Sequence, residues 1–535
     1  MITTQWKPDI FTFNVNPNRT AGVHKVLSFC PPNLNNPQKL KKKKHLNKTK
    51  KKFKRISNLS DALALLSWDS QTIMPSGASE VRAEQLATLS VLRHEEVTSN
   101  LISDLLAKID SEVLTDWQRA NVREIERVYK NATALSPEII DAHSRARHNC
   151  ETVWRIARRD NRFDLVVDPL GELLEITKDI AAVKAGKFNM QPYDALLDEY
   201  EPGAKAENLD TIFNYLEPKL IQLLENVLEQ QKKTEYTVIP FQVTEKKQKK
   251  LGLKLMAQQG FNFQKGRLDK SAHPFSGGIP DDVRITTRYD EQDWASSLMG
   301  VIHETGHALY EQGLPKEWRG QPVGDARGMV LHESQSLTLE MQACRSREFF
   351  EFLAPVIADE FDVSGKEWSA SALHQKCLRI TPNFIRVDAD ELTYPLHVIL
   401  RYRLEQSLLS GDLSVKELPL AWNDMFMKSF GFRPTNDRDG CLQDIHWYDG
   451  AFGYFPTYTL GAMAAAQLFS AVVKVEPKIL SKLKQGDFSD LLVWLREHVH
   501  SWGSYYSSDE IMERATGSPL DPSFYISHLK SRYMQ

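Results

Sequence analysis

No CxxC pair, no long uninterrupted apolar run and no low-complexity repeat occurs in this sequence of 535 residues. Its five cysteines, Cys30, Cys150, Cys344, Cys377 and Cys441, are scattered and odd in number. That argues against a disulfide framework and a cysteine metal site, and it suits buried structural thiols in a reducing compartment. The longest apolar stretch, Leu460 to Val475, is broken by Gln467, Ser470 and Lys474, so no segment reads as a membrane span. A secretory signal is also missing, because residues 1–36 have Pro-rich loops and no apolar stretch behind a positive start. With Asp9 as their one acid and Lys7, Arg19 and Lys25 as cations, they make a weak organellar address. The cytoplasm is the expected location, with an organelle as the alternative.

What is present reads as a globular protein: 41% hydrophobic and 26% charged residues, enough for a large core or for two to three average domains. The net charge of −3 is uneven, since Lys39 to Arg55 holds eleven Lys or Arg and no acid. The remainder is acidic and would repel nucleic acid and anionic membrane, so neither is an expected partner. The tract itself reads as a solvated or disordered segment, or as a helix start with an exposed basic face. We therefore expect a basic, poorly ordered extension over residues 1–56 and one folded domain over 57–535.

From about Ser57 the pattern is helical, with Leu59, Leu63, Leu65, Leu66 and Trp68 at helical spacing before Met74-Pro75. Similar segments follow at Val81–Glu96, Glu112–Tyr129, Pro137–Arg158 and Glu207–Gln231, and a short strand is expected near Val238–Val243. Asp282 to Tyr289 alternates β-branched and polar residues, as a half-exposed strand does. A helix is expected from Gln292 to Gln312, ended by Gly313 and Pro315, and a second from Gly328 to Phe350. A third is expected from Phe384 towards Leu409, kinked or split by Pro395. The fold class is mainly α with one small β-sheet.

Within the first of these three helices lies His303-Glu304-Thr305-Gly306-His307, an HExxH motif. Residues four apart share a helix face, so both imidazoles reach one Zn²⁺, while Glu304 points beside the metal and takes a proton from water. About 0.03 such matches are expected by chance in a chain of this composition. Gly306 is unfavourable inside a helix unless something approaches that turn closely. A third ligand is needed. The metzincin continuation is excluded by Tyr310 and Gly313, where its glycine and third histidine would stand. A glutamate on a following helix is the gluzincin solution, which Glu333 offers 26 residues after His307; Glu340, two turns further on, is its competitor. His332 points to another side, which suits packing or substrate contact. The expected metal is zinc, though Co²⁺ or Mn²⁺ suits the same donors.

Six motifs, in order, now carry a resemblance to the carboxypeptidase Taq family of thermostable metallocarboxypeptidases. They are His273-Pro274-Phe275, Asp282 to Thr286 (DxRxT), His303 to His307, His332 to Gln335 (HESQ), Ile385 to Asp390 (IRxxAD) and Gly440 to Trp447. Leu65 to Asp69 and Met74-Pro75 also fit its N-terminal region, so the likeness runs from about Ser57 to the C-terminus. It implies a helical gluzincin fold around a deep substrate groove, like that of neurolysin and angiotensin-converting enzyme. It implies a homodimer that removes C-terminal amino acids from peptides with broad specificity. It makes 57–535 the catalytic domain, His303, His307 and Glu333 the metal ligands, and Glu304 the general acid/base.

The oxyanion of such a reaction needs donors beyond the metal, and His446, Tyr454 and Tyr458 are the candidates; aromatic core is the plain alternative for each tyrosine. Gln443 and Asp444 are candidates to orient His446 or a ligand imidazole. For the substrate's terminal carboxylate, Arg386 and Arg284 are the candidates. A surface ion pair with Asp390 is the alternative for Arg386, and a peptide adding as an extra strand would meet Arg284. His273 suits either substrate contact or packing beside Pro274 and Phe275. Competing functions are an oligopeptidase cutting internal bonds, and a non-catalytic protein that binds nucleic acid or acidic lipid through the Lys39–Arg55 tract; salt-sensitive binding without need of Glu304 would mark the latter.

Overall fold

A computed structural model describes residues 44–233, 242–272 and 274–534. Helices dominate, and many start where the sequence supplies a capping side chain. Thr115 and Gln118 form a reciprocal capping box at the helix Asp116–Ala132, and Ser136 caps a helix whose first residue is Pro137. Asn161, Asn189 and Asp362 end three helices in the left-handed region that short polar side chains tolerate.

The first helix among the described residues runs from Lys44 to Thr72, so the boundary expected at residue 56 falls inside it. Leu46, Thr49, Phe53 and Ile56 are buried at helical spacing, which turns the basic residues between them outward. Lys52 and Arg55 both pair with Glu96, and Lys50 lies over the Trp318 ring. From Lys44 on, the expected disordered extension is thus packed helix; the rest of it, with Cys30, lies outside the described residues.

Two expected helices are divided. Gly328–Phe350 is a return helix, Gly328–Leu337, then a π turn, Thr338–Ala343, and then a separate helix, Arg347–Phe361. Ser346 caps that last helix by accepting from the Phe349 N–H, a start signal within the apolar pattern. Phe384–Leu409 is irregular up to Tyr394, where the helix Tyr394–Ser410 starts. Pro395 sits in its first turn, where no intrahelical donor is lost, and so begins the helix instead of kinking it. Of the expected strand Val238–Val243, residues 238–241 lie outside the described residues, and Val243 belongs to no strand.

Among the described residues the sheet has three strands, β1 (Gly266–Lys270), β2 (Phe275–Ile279) and β3 (Asp282–Thr287), in the order β1-β3-β2. β1 runs parallel to β3, and β2 antiparallel, with Gly277 opposite Arg284. A side chain at Gly278, whose φ is +90°, would lie 2.2 Å from the Asp282 carbonyl oxygen, so this hairpin needs glycine. Val283 and Ile285 turn inward and pack the sheet on the HExxH helix, Trp294–Gly313.

That helix and the return helix run antiparallel, and a third, Pro456–Val475, packs on the return helix. This last helix contains the apolar stretch Leu460–Val475 and is long and apolar enough by composition to cross a membrane. Leu460, Met463, Ala464, Leu468 and Val472 are instead buried in the protein core. Cys150, Cys344 and Cys441 are buried and, like Cys377, free.

Candidate metal centre

Asp293 caps the HExxH helix, its carboxylate accepting from the Ser296 N–H. Val301, Ile302, Thr305, Ala308 and Leu309 bury one side, so His303 and His307 emerge together on the other. Their rings lie 5.0 Å apart and nearly perpendicular. The return helix starts at Gly328, with φ +56°, where a side chain would strike the Glu201 carboxylate. Glu201 accepts from the Val330 N–H and the Ser508 hydroxyl, and the Tyr310 hydroxyl accepts from the Arg327 N–H. The two helices are therefore pinned at their shared end.

Glu333 meets the histidines from the facing helix. Its Oε2 lies 3.3 Å from His307 Nε2 and 3.8 Å from His303 Nε2, and one ligand atom from each residue lies within 4.8 Å of the others. Tetrahedral bonds of about 2.0–2.1 Å place neighbouring donors roughly 3.3 Å apart, so two imidazoles and a carboxylate fit one divalent ion here. Burial works to raise the Glu333 carboxyl, but the imidazoles of His303 and His307 outweigh it and hold it down at about 2. Glu304, only 8% exposed, is pushed up to about 7 by burial.

Glu340, the competitor for the metal, faces the other nitrogen of His303: its Oε2 lies 3.0 Å from Nδ1. Its second oxygen accepts from Arg345 at 2.7 Å. His332 lies with Nδ1 2.7 Å from His307 Nδ1 and Nε2 3.0 Å from Glu311. Both contacts escaped sequence reasoning, because helical spacing shows a shared face and not which ring nitrogen a neighbour meets.

A cavity of about 950 Å³ opens over the centre, lined by His303, Glu304, His307 and Glu333 and by Arg386, Tyr394, Tyr454 and Tyr458. Tyr454 and Tyr458 stand edge to face at 5.2 Å. His446 is outside that lining, with Nε2 3.4 Å from the Tyr458 hydroxyl and its ring against Phe455; burial pulls it down to about 4. Arg386 is buried. Its Nε and Nη2 donate to Asp444 Oδ1 at 3.0 and 2.7 Å, and its Nη1 donates to the Tyr394 hydroxyl. Asp444 also accepts from Arg401 at 2.7 Å, and Gln443 accepts from the Arg386 N–H. Gln443 and Asp444 thus orient arginines, and the Asp390 pairing considered for Arg386 is not the one made. Asp390 instead accepts from the N–H groups of Thr381, Leu392 and Thr393.

Arg284 is not brought to this cavity; it pairs with Asp282 and lies 4.6 Å over the Trp68 ring. Its strand, β3, is flanked by β1 and β2, so a peptide has no edge to join there. On the cavity side, Phe275 and Ser276 of β2 are the strand residues present. His273 lies outside the described residues, although its neighbour Pro274 lines the cavity.

A mainly helical domain with an HExxH helix and a returning glutamate defines a metallopeptidase. Residues 48–533 match the Carboxypeptidase Taq (M32) metallopeptidase family, and the chain belongs to that family of metallocarboxypeptidases. It is 36% identical to Carboxypeptidase 1 of Bacillus subtilis over 489 residues, 90% of this chain and 96% of that one. It is 36% identical to Thermostable carboxypeptidase 1 of Thermus thermophilus over 485 residues, 88% of this chain and 94% of that one. Among solved structures, metallocarboxypeptidase 1 of Trypanosoma cruzi matches with a TM-score of 0.90 and 39% identity, covering 92% of this chain and all of that one.

Proposed function

We propose that this chain is a zinc-dependent carboxypeptidase of broad specificity, with His303, His307 and Glu333 holding the ion and Glu304 moving the proton. The observation that carries this reading is the approach of one Glu333 oxygen to both Nε2 atoms, beside a buried Glu304. A divalent ion bound by these donors supplies Lewis acidity towards a peptide carbonyl and draws the pKa of water down towards about 7. Glu304 accepts the proton of the attacking water and returns it to the departing amine nitrogen. Tyr454 and Tyr458 stand in the cavity wall as hydroxyl donors for the developing oxyanion, and His446 supports Tyr458 from behind.

Arg386 is the group we assign to the substrate's terminal carboxylate. Two buried guanidiniums, of Arg386 and Arg401, share the single carboxylate of Asp444, so the trio carries one excess positive charge. An incoming carboxylate would neutralise it in a poorly solvated place, where such pairing is strong. The mixed apolar and polar cavity wall supports acceptance of varied side chains. The test is release of C-terminal residues from a panel of free-acid peptides and their C-terminal amides by the zinc-loaded protein. Free acids with different last residues should all be trimmed and the amides spared; equal cleavage of the amides would overturn the exopeptidase assignment.

A further inference from the structure

A histidine that binds a metal through Nε2 must carry its proton on Nδ1, and that N–H needs an acceptor when buried. Both ligand rings here have a partner on that side. For His303 it is Glu340 Oε2 at 3.0 Å, in a π turn, with Arg345 on the other carboxylate oxygen. Arg345 is fixed in turn by the Cys377 carbonyl, at 2.9 Å. For His307 it is a second imidazole, His332, backed by the Glu311 carboxylate.

The 2.7 Å separation of the two Nδ1 atoms is too short for an ion to sit between them, since donors on one zinc stand roughly 3.3 Å apart. It is a hydrogen bond, in which one nitrogen carries the proton. With His307 Nε2 given to the metal, the proton is on His307 Nδ1 and the lone pair on His332 Nδ1. His332 then carries its own proton on Nε2 and donates it to Glu311 Oε1. A single proton arrangement satisfies all three groups.

We propose that Glu340 and the His332–Glu311 pair are positioning residues that hold the two ligand imidazoles in the Nδ1–H tautomer, and so raise the affinity of the site for its ion. The inference rests on the metal assignment above. The antiparallel pairing of the helices explains why both partners come from one side: Glu311 and His307 meet His332, and His303 meets Glu340, as one chain ascends and the other descends.

The experiment is competition for Zn²⁺ between a chromophoric chelator and the full chain, with the visible spectrum of the Co²⁺ form as a geometric readout. His332→Phe removes the acceptor, whereas His332→Asn restores an oxygen near the Nδ1 position. Glu340→Gln keeps an acceptor but loses the charge, and Glu340→Leu paired with Arg345→Met removes acceptor and counter-charge together. We expect zinc to bind about 10–100-fold more weakly in His332→Phe and in the Glu340→Leu/Arg345→Met double variant, with a changed cobalt spectrum. His332→Asn and Glu340→Gln should fall between these and the original protein. Thermal unfolding identifies the variants that are folded. Folded His332→Phe and double variants whose zinc affinity stays within about twofold of the original would overturn the positioning role while leaving the ligand set standing. An original chain that takes up no divalent ion would overturn the ligand set itself.

Discussion

Gly461 lies against Glu333 so closely that a side chain on the glycine would stand 2.6 Å from the glutamate's Cβ. The helix Pro456–Val475 thus sets where Glu333 can be, from behind. Gly461→Ala should push the return helix away from the histidines. We expect a stability loss of about 1–3 kcal/mol, as for other overpacked sites, together with at least tenfold weaker zinc binding; chelator competition and thermal unfolding measure the two. Wild-type zinc affinity in a folded Gly461→Ala protein would show that the contact does not position the ligand.

Glu304 and Glu333 are both carboxylates in one cavity, yet their expected losses differ. Glu304→Gln should retain stoichiometric zinc and lose roughly 10²–10⁴-fold in kcat, because it removes the proton carrier and no ligand. Glu333→Ala should lose both metal and turnover. Metal content by atomic emission, alongside peptide hydrolysis, separates these outcomes, and full activity of Glu304→Gln would remove the mechanism.

The C-terminal helix, Pro522–Tyr533, is tied to the cavity wall through one buried acid. Glu391 accepts from His528 at 2.7 Å, Arg532 at 2.9 Å and the Tyr533 hydroxyl at 3.0 Å. Burial works to raise its carboxyl, but Arg532 and His528 outweigh this and hold it well below the usual carboxylate range. A folded-state pKa below the unfolded value gives stability that is present above about pH 4.3 and lost as pH falls towards the folded value. Glu391→Gln strands the Arg532 charge, and should cost about 3–5 kcal/mol at neutral pH and flatten the acid limb of the stability curve. Chemical denaturation across pH 2–7 measures both.

Glu405 titrates the other way. It accepts from the Trp447 indole at 2.8 Å, the Tyr193 hydroxyl at 2.9 Å and the Gly453 N–H, yet burial pushes it up to about 7. The folded state therefore keeps a proton that the unfolded chain has lost, and stability declines as pH rises from about 4.5 to 7 and then levels off. The decline attributable to this group is on the order of 3–4 kcal/mol. Glu405→Gln should remove that slope, whatever its effect on stability at any single pH; an unchanged slope would show that Glu405 is already ionised in the folded protein.

The shared face of His303 and His307 was legible in the sequence because helical periodicity alone puts residues four apart on one face; Glu333 was one of two candidates by spacing, and the family resemblance favoured it over Glu340. Gly306 was legible as a close approach, and the structure shows what approaches: a side chain there would lie 2.5 Å from Ser336 Cα and from the Gln335 carbonyl oxygen. Pro395 was misplaced because an apolar pattern does not show where a helix begins. Of the two readings of the basic tract, the helix start with an exposed basic face holds from Lys44 onward, because Leu46, Thr49, Phe53 and Ile56 form a buried stripe that composition does not reveal.

Residue order alone was enough for the mainly helical class and for placing His303 and His307 on one helix face with Glu333 and Glu340 as candidate partners, because these follow from local spacing and short motifs. Tertiary structure decided that both imidazoles turn Nε2 towards Glu333 and that Glu340 stands at Nδ1 of His303. It also paired Arg386 with Asp444 and turned Arg284 away from the cavity. Those are relations between side chains distant in sequence. They are fixed by how helices approach one another at glycines and by which buried charges must find partners, and periodicity carries no record of either.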